Sequence, residues 1–156
     1  MAEAEAQHRW LHRLVGEWSY EADMEGGPGE PPVHDAGTES VRSLGGVWVV
    51  CEGHSQDGTS NTLMTVGYDP EKQRFVGTYV GSMMTTLWLY EGELEAGETR
   101  LALYSDGPSF TEEGKTSRYR DTIELLGNDE RVMTSHYQQA DGGWHPFMTS
   151  RYRRIQ

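Results

Sequence analysis

The sequence predicts an all-β protein: a single antiparallel up-and-down β-barrel of about ten strands with an N-terminal capping helix. Three observations support this prediction. Short segments rich in Val, Thr, Tyr and Trp recur at close intervals, with turn sequences between them. Only one segment has a helical pattern, which argues against a parallel α/β fold. Nearly every connection is short, so a meander is the simplest topology, and closing it into a barrel removes exposed edges.

The helix is predicted over residues 4–14. Trp10, Leu11, Leu14 and Val15 form one apolar stripe, and Gly16 ends the segment. We expect this stripe to cover one end of the barrel. Residues 1–156 are expected to form one domain. The strands are predicted over residues 17–24, 35–43, 47–54, 61–68, 74–80, 84–94, 99–105, 116–126, 130–139 and 144–154.

Gly-rich and Asp-rich turns separate these strands, at residues 44–46, 56–58, 69–72, 81–82, 96–98, 127–130 and 141–143. The first connection, over residues 25–33, has too much Gly and Pro for regular structure. The longest later connection is DGPSFTEEGK, residues 106–115. Loops of this length often act as lids or binding loops.

The composition excludes several classes of partner. The formal charge is −12, from 13 basic and 25 acidic residues. Such an acidic chain repels phosphate backbones and anionic lipids, so we predict neither nucleic acid nor membrane as a partner. Cys51 is the single cysteine, which excludes an intramolecular disulfide. The start, MAEAEAQHRW, lacks the pattern of a signal peptide, so a cytoplasmic location is expected.

Alternation along the strands predicts which side chains face the interior. Leu103 and Asp121 face inward by this rule. In residues 130–139 the pattern is ambiguous, so either His136 or Tyr137 belongs to the inner face. In residues 84–94 we expect the two glutamates to face water. The residues on the opposite face of the strand are then expected to point inward: Met84, Thr86, Trp88 and Tyr90.

The inner face is unusually rich in aromatic, Met and Thr side chains. Flexible thioethers and amphipathic rings suit a pocket for an irregular apolar ligand, and a wide barrel is hard to fill with side chains. The alternative is that these residues fill a solid core. The predicted ligand-binding residues are Met64, Tyr79, Met84, Thr86, Trp88, Tyr90, Leu103 and Met148.

Tyr119, Asp121 and His136 are the candidate catalytic residues. An Asp that is hydrogen-bonded to a His could hold a general base, with the Tyr as proton donor. The alternative is a structural network that braces adjacent strands. An inward-facing Arg42 or Arg151 would instead bind a carboxylate ligand.

No metal or other cofactor is predicted. His8 and His12 stand four residues apart on the helix, a spacing that can hold a metal, but no third ligand has a matching spacing. Haem bound through His136 is kept as an alternative. This alternative rests on His ligation in nitrobindin-like relatives of the same barrel class.

Several strings carry a resemblance to a known family: LVGEW, TLMTVGYDP, FVGTYVGSMMT, LWLYEGEL, DGPSFT, GKTSRYRD, RVMTSH and FMTSRYRR. Together they resemble the uncharacterised, mostly bacterial family called domain of unknown function 1579, over nearly the whole chain. The resemblance implies a lipocalin-like, calycin-type barrel and no established activity. Where members of the family often carry His, this sequence has Thr86.

The predicted function is the binding of a small, partly apolar or aromatic molecule inside the barrel. The first alternative is a cofactor-independent enzyme, a cyclase, isomerase or hydrolase, that encloses its substrate. The second is a structural or partner-binding barrel with a filled core, which could form a homodimer. The binding hypothesis requires an open cavity, and the enzyme hypothesis requires Asp121 and His136 within hydrogen-bond reach of each other.

Overall fold

The computed structural model describes residues 3–155. Each strand pairs antiparallel with the next along the chain, and the first pairs with the last, which closes the barrel. The predicted all-β, ten-stranded, up-and-down barrel with an N-terminal helix is therefore confirmed. Its elements are α1 (Ala6–His12), β1 (Gly16–Met24), β2 (Val33–Leu44), β3 (Trp48–Ser55), β4 (Asn61–Asp69), β5 (Arg74–Gly81), β6 (Trp88–Leu94), β7 (Arg100–Pro108), β8 (Thr116–Leu126), β9 (Glu130–Gln138) and β10 (Trp144–Arg154).

The helix α1 is shorter than the predicted helix over residues 4–14. Its chain tightens at the C-terminal end, where the N–H groups of Leu14 and Val15 donate to the carbonyls of Leu11 and His12. Gly16 then begins β1 with a φ of 144°, a value that favours glycine. The helix ends early because the first strand starts immediately. Within residues 3–155, no helix has the length and apolar character needed to cross a bilayer.

The helix lies across one end of the barrel and closes it. The indole N–H of Trp10 donates to the carbonyl of Glu98 at 2.7 Å, and the Trp10 ring meets the Phe75 ring nearly edge-on. The side chains of Leu11 and Leu14 are almost fully buried beside it. Burial of each of these large apolar side chains contributes about 2 kcal/mol. The half of the barrel next to α1 is therefore a packed core.

Two predicted strand boundaries need correction. The strand predicted over residues 84–94 begins at Trp88, because the pairing of β5 with β6 stops at Tyr79 and Trp88. The preceding loop is attached to β4 instead: the Ser82 N–H donates to the Asn61 carbonyl, and the Asn61 N–H donates to the Ser82 hydroxyl. The strand predicted over residues 99–105 extends to Pro108, which shortens the following connection to residues 109–115.

Candidate functional site

The half of the barrel away from α1 encloses a cavity of about 290 Å³. All ten strands contribute to its wall, and the loops at residues 82–87 and 109–115 contribute to its mouth. This volume is near the lower end of small-molecule pockets, which range from roughly 300 to 1,000 Å³. The barrel is thus filled at the helix end and hollow at the other, so the filled-core alternative describes only one half of it.

Most of the predicted ligand-binding residues lie on the wall of this cavity. The loop residue Met84 is among them although it is not in a strand, and its sulfur accepts the Trp88 indole N–H at 3.0 Å. Trp88 and Tyr90 alternate along β6 as the sequence predicts. The predicted residues on the wall are Met64, Tyr79, Met84, Trp88, Tyr90 and Met148.

Thr86 and Leu103 do not line the cavity. Thr86 lies in the loop before β6, so the strand alternation that placed it inside does not apply. Leu103 does face the interior, as predicted, but its side chain is completely buried in the packed core and is covered from the cavity. Alternation predicts the face of a strand and not the depth along the barrel.

The predicted group of Tyr119, Asp121 and His136 is divided. Asp121 and Ser135, directly opposite each other on β8 and β9, both line the cavity. His136 follows Ser135 in the strand and therefore points out of the barrel, where its Nδ1 lies 3.3 Å from the Arg120 carbonyl oxygen. The ambiguity in residues 130–139 is resolved in favour of the other register. His136 does not lie on the cavity wall as a partner for Asp121 or as a ligand for haem.

The hydrogen-bond partner of Asp121 is Tyr90. The Tyr90 hydroxyl on β6 donates to the Asp121 carboxylate on β8 across the cavity wall. Burial raises the pKa of Asp121, while the hydroxyls of Tyr90 and Ser135 oppose this shift. Burial, followed by the charges of Asp121 and Glu39, raises the pKa of Tyr79 to about 12. The tyrosine hydroxyls on this wall are therefore hydrogen-bond donors at neutral pH.

Asp121→Asn tests the raised pKa of Asp121. A raised pKa means that the folded state disfavours the ionised carboxyl, so stability is lost as pH rises from the unfolded pKa, about 3.9, through the folded one. We expect Asp121→Asn to gain stability relative to the natural chain as pH rises through that window, because the amide does not ionise. The amide oxygen still accepts the hydrogen bond from Tyr90. Urea unfolding at a series of pH values measures this. If the stability of Asp121→Asn relative to the natural chain stays constant or falls as pH rises, the raised pKa is contradicted. Asp106→Asn, on the outer face, is the control that reports the effect of losing a surface charge.

Tyr119 lies at the mouth of the cavity. Its hydroxyl donates to the Pro108 carbonyl at 2.6 Å. Its ring packs edge-on against Trp88, with centroids 5.1 Å apart, and also contacts Phe110 and Phe147. Phe110 comes from the loop over residues 109–115 and is 59% exposed, so the mouth is bordered by an accessible aromatic side chain.

A β-bulge at the start of β10 accounts for one wall residue that alternation does not predict. The register against β9 shifts between Pro146 and Met148. The extra residue lets two neighbours, Phe147 and Met148, both line the cavity. A sequence pattern with a strict period of two assigns them to opposite faces.

Glu39 and Arg131 form the main polar feature that sequence reasoning missed. The Arg131 guanidinium on β9 donates to the Glu39 carboxylate on β2 in the barrel interior. The same guanidinium stacks 3.7 Å from the centroid of the Tyr152 ring and 4.7 Å from that of Trp18. Glu39 and Tyr152 line the cavity, whereas Arg131 lies behind them. An inner register for β9 that includes Ser135 also includes Arg131, so alternation would have found it once that register was known.

The second missed pair is Tyr20 with Asp35, and both residues line the cavity. The Tyr20 hydroxyl on β1 donates to the Asp35 carboxylate on β2 at 3.1 Å. Burial, followed by the hydrogen bond to Asp35, raises the pKa of Tyr20. Each of the three carboxylates on the wall, Asp35, Glu39 and Asp121, therefore has a protein hydrogen-bond partner.

His8, one half of the histidine pair on the helix, has a structural role. Its Nδ1 accepts the Glu5 N–H at 2.9 Å, so Nε2 carries the proton and donates to the Tyr68 carbonyl at 3.0 Å. These bonds cap the start of α1 and attach the helix to β4. Across the described part of the chain, no three His, Cys, Asp or Glu side chains are grouped so as to hold a metal ion.

The fold and the site together define a closed antiparallel β-barrel with a solid end and an aromatic, acid-containing cavity at the other. The chain belongs to the DUF1579 family of proteins of unknown function, whose model matches residues 3–154. The family predicted by the resemblance is thus confirmed. No protein with a curated description matches the chain.

Several solved structures have a similar fold. Rv2717c from M. tuberculosis superposes with a TM-score of 0.63 at 10% identity, over 99% of this chain and 100% of that one. A protein of unknown function from the DUF3598 family of Nostoc punctiforme has a TM-score of 0.52 at 17% identity, over 93% of this chain and 49% of that one. EF1p2_mFAP2b, solved bound to DFHBI, has a TM-score of 0.45 at 12% identity, over 96% and 99% of the two chains. At these identities the first two likenesses concern the fold alone.

Proposed function

We propose that this protein binds a small, partly apolar or aromatic molecule inside the barrel. The observation that carries the proposal is the cavity of about 290 Å³, which has a mainly apolar wall and a few hydrogen-bonded polar groups. Small-molecule sites have this composition, because apolar contact supplies affinity and a few polar groups fix orientation. The enzyme alternative required a contact between Asp121 and His136, and the two side chains lie on opposite faces of the sheet.

Filling the cavity from two separate walls tests the proposal. Ser105 on β7 and Ala22 on β1 both line it and carry small side chains. We expect Ser105→Phe and Ala22→Phe each to weaken binding of a neutral apolar fluorophore, N-phenyl-1-naphthylamine, by tenfold or more (roughly 1.4 kcal/mol or more). The natural chain should bind the fluorophore saturably, with a rise in its emission.

Ser40→Phe is the matched control, because Ser40 lies exposed on the outer face of β2. It adds the same side chain to a strand serine without entering the cavity, so its affinity should equal that of the natural chain. Circular dichroism confirms that each variant is folded. Folded cavity variants that bind as well as Ser40→Phe, or a natural chain that shows no saturable binding, would overturn the proposal.

A further inference from the structure

The charged groups that face the cavity are all acidic. Asp35, Glu39 and Asp121 line it, and no Lys, Arg or His within residues 3–155 does so. Arg42 and Arg151, either of which would have bound a carboxylate ligand from inside, both point outward. Arg42 pairs with Glu52 and Arg151 with an exposed carboxylate on β1, and both arginine side chains are well exposed.

Within residues 3–155, a cation neutralises only one of the three carboxylates. Glu39 is paired with Arg131, whereas Asp35 and Asp121 receive hydrogen bonds from tyrosine hydroxyls, which donate a proton but bring no positive charge. An ionised carboxylate has about four acceptor positions, so each of these two retains acceptor capacity after its tyrosine is counted. The cavity therefore combines enclosure with an excess of negative charge and of hydrogen-bond acceptors.

Two serine hydroxyls contribute further polar groups to the wall. Ser105 and Ser150 are each more than nine-tenths buried, yet both line the cavity. A hydroxyl on a cavity wall can accept a hydrogen bond from a bound ligand, because it carries two acceptor lone pairs.

The aromatic wall favours the same charge as the carboxylates. The rings of Tyr79, Trp88 and Tyr90 line the cavity. The faces of aromatic rings carry partial negative charge and attract ammonium and guanidinium groups, more strongly where water is excluded. The net charge of −12 on the whole chain adds a long-range attraction for cations.

We infer that the ligand is an organic cation, an apolar or aromatic body that carries an ammonium or guanidinium group, and that anionic amphiphiles are excluded. This inference rests on the proposed binding function and specifies the chemical class of the ligand. The cationic group hydrogen-bonds to the cavity carboxylates and serines, while the apolar body lies against the rings and methionines. A carboxylate ligand would meet two unneutralised carboxylates and no cation.

Three probes with one ring system and different head groups test this: 1-naphthylmethylammonium, 1-naphthalenemethanol and 1-naphthoate. We expect calorimetry to give the ammonium compound a Kd about tenfold below that of the alcohol, and to detect no binding of the naphthoate. Asp121→Asn and Asp35→Asn should each remove most of the advantage of the ammonium over the alcohol. The advantage should persist at high salt, which screens attraction to the surface but not to an enclosed group.

Asp106→Asn is the control, because Asp106 lies on β7 beside Ser105 but points outward, where it pairs with Arg118. It removes the same charge from the chain and should leave the ammonium advantage intact. If the alcohol and the ammonium compound bind with equal affinity, or if the naphthoate also binds, the inferred ligand class is wrong and the proposed binding function stands. If none of the three binds, and N-phenyl-1-naphthylamine does not either, the binding function itself is overturned.

Discussion

Replacing Arg131 with methionine is expected to lower the free energy of unfolding by about 3–5 kcal/mol. The Arg131 side chain is only 3% exposed and its charge is balanced by Glu39. The substitution preserves much of the apolar stem and removes the guanidinium, so the Glu39 carboxylate remains in the barrel without a cation. The stacking of the guanidinium on Tyr152 and Trp18 is lost as well. Urea unfolding, followed by far-ultraviolet circular dichroism, measures the change.

Arg118→Met is the matched control for this result. Arg118 also pairs with a carboxylate, Asp106, and also stacks on a tyrosine, Tyr104, but its side chain is 47% exposed. Exposed ion pairs contribute at most about 1 kcal/mol, so this variant should be nearly as stable as the natural chain. The double variant Arg131→Met with Glu39→Gln should recover part of the loss, because no charge is then left unpaired. Equal stability of Arg131→Met and Arg118→Met would refute the assigned role of the buried pair.

Gly92→Ala is expected to destabilise the barrel by about 3 kcal/mol, the upper part of the range for overpacked interiors. Gly92 lies on the inner face of β6, where β6 passes close to β7. An added Cβ would lie 1.8 Å from the Ala102 carbonyl oxygen and 2.9 Å from the Leu103 Cα. These are backbone atoms of a paired strand, so they cannot rotate away, and the two strands must separate. Thermal and urea unfolding both measure the loss.

Gly81→Ala provides the comparison within the same barrel. Gly81 ends β5, and a Cβ added there would meet its nearest atom at 3.7 Å, which is ordinary contact. Gly in the middle of a strand is less stable than Ala by roughly 0.5–1 kcal/mol, so this variant should be unchanged or slightly more stable. The close approach of β6 to β7 would be disproved if the two glycine variants lost stability to the same extent.

Several parts of the site could be predicted because they depend on local sequence. The strand alternation around the glutamates of β6 correctly assigns Trp88 and Tyr90 to the interior, and the charged residues of β8 assign Asp121 to it. Residues two apart in a strand share a face whatever the rest of the fold does. The turn sequences separate ten strands for the same local reason, since glycine and asparagine adopt backbone conformations that other residues avoid.

Other parts could not be predicted because they depend on where distant strands meet. Glu39 and Arg131 are 92 residues apart, and they pair only because both lie on inner faces of the closed barrel. The inner register of β9 is ambiguous in the sequence, and the pairing of His136 with Asp121 requires the register that the barrel does not adopt. Tyr90, the actual partner of Asp121, is itself correctly predicted as an inner residue, but no local pattern links β6 to β8.

The amino-acid sequence by itself determined the all-β class, the number of strands and most of the apolar and aromatic wall, because these follow from short-range periodicity and composition. The family was indicated by the resemblance of particular sequence strings. The tertiary structure alone decided how deep each inward residue lies, which of them the core covers, and which polar groups meet. Closure of the barrel brings strands from the whole chain around one space. Its packed end removes Leu103 from the wall, and its hollow end leaves Asp35 and Asp121 facing the cavity with no cation from the described residues beside them.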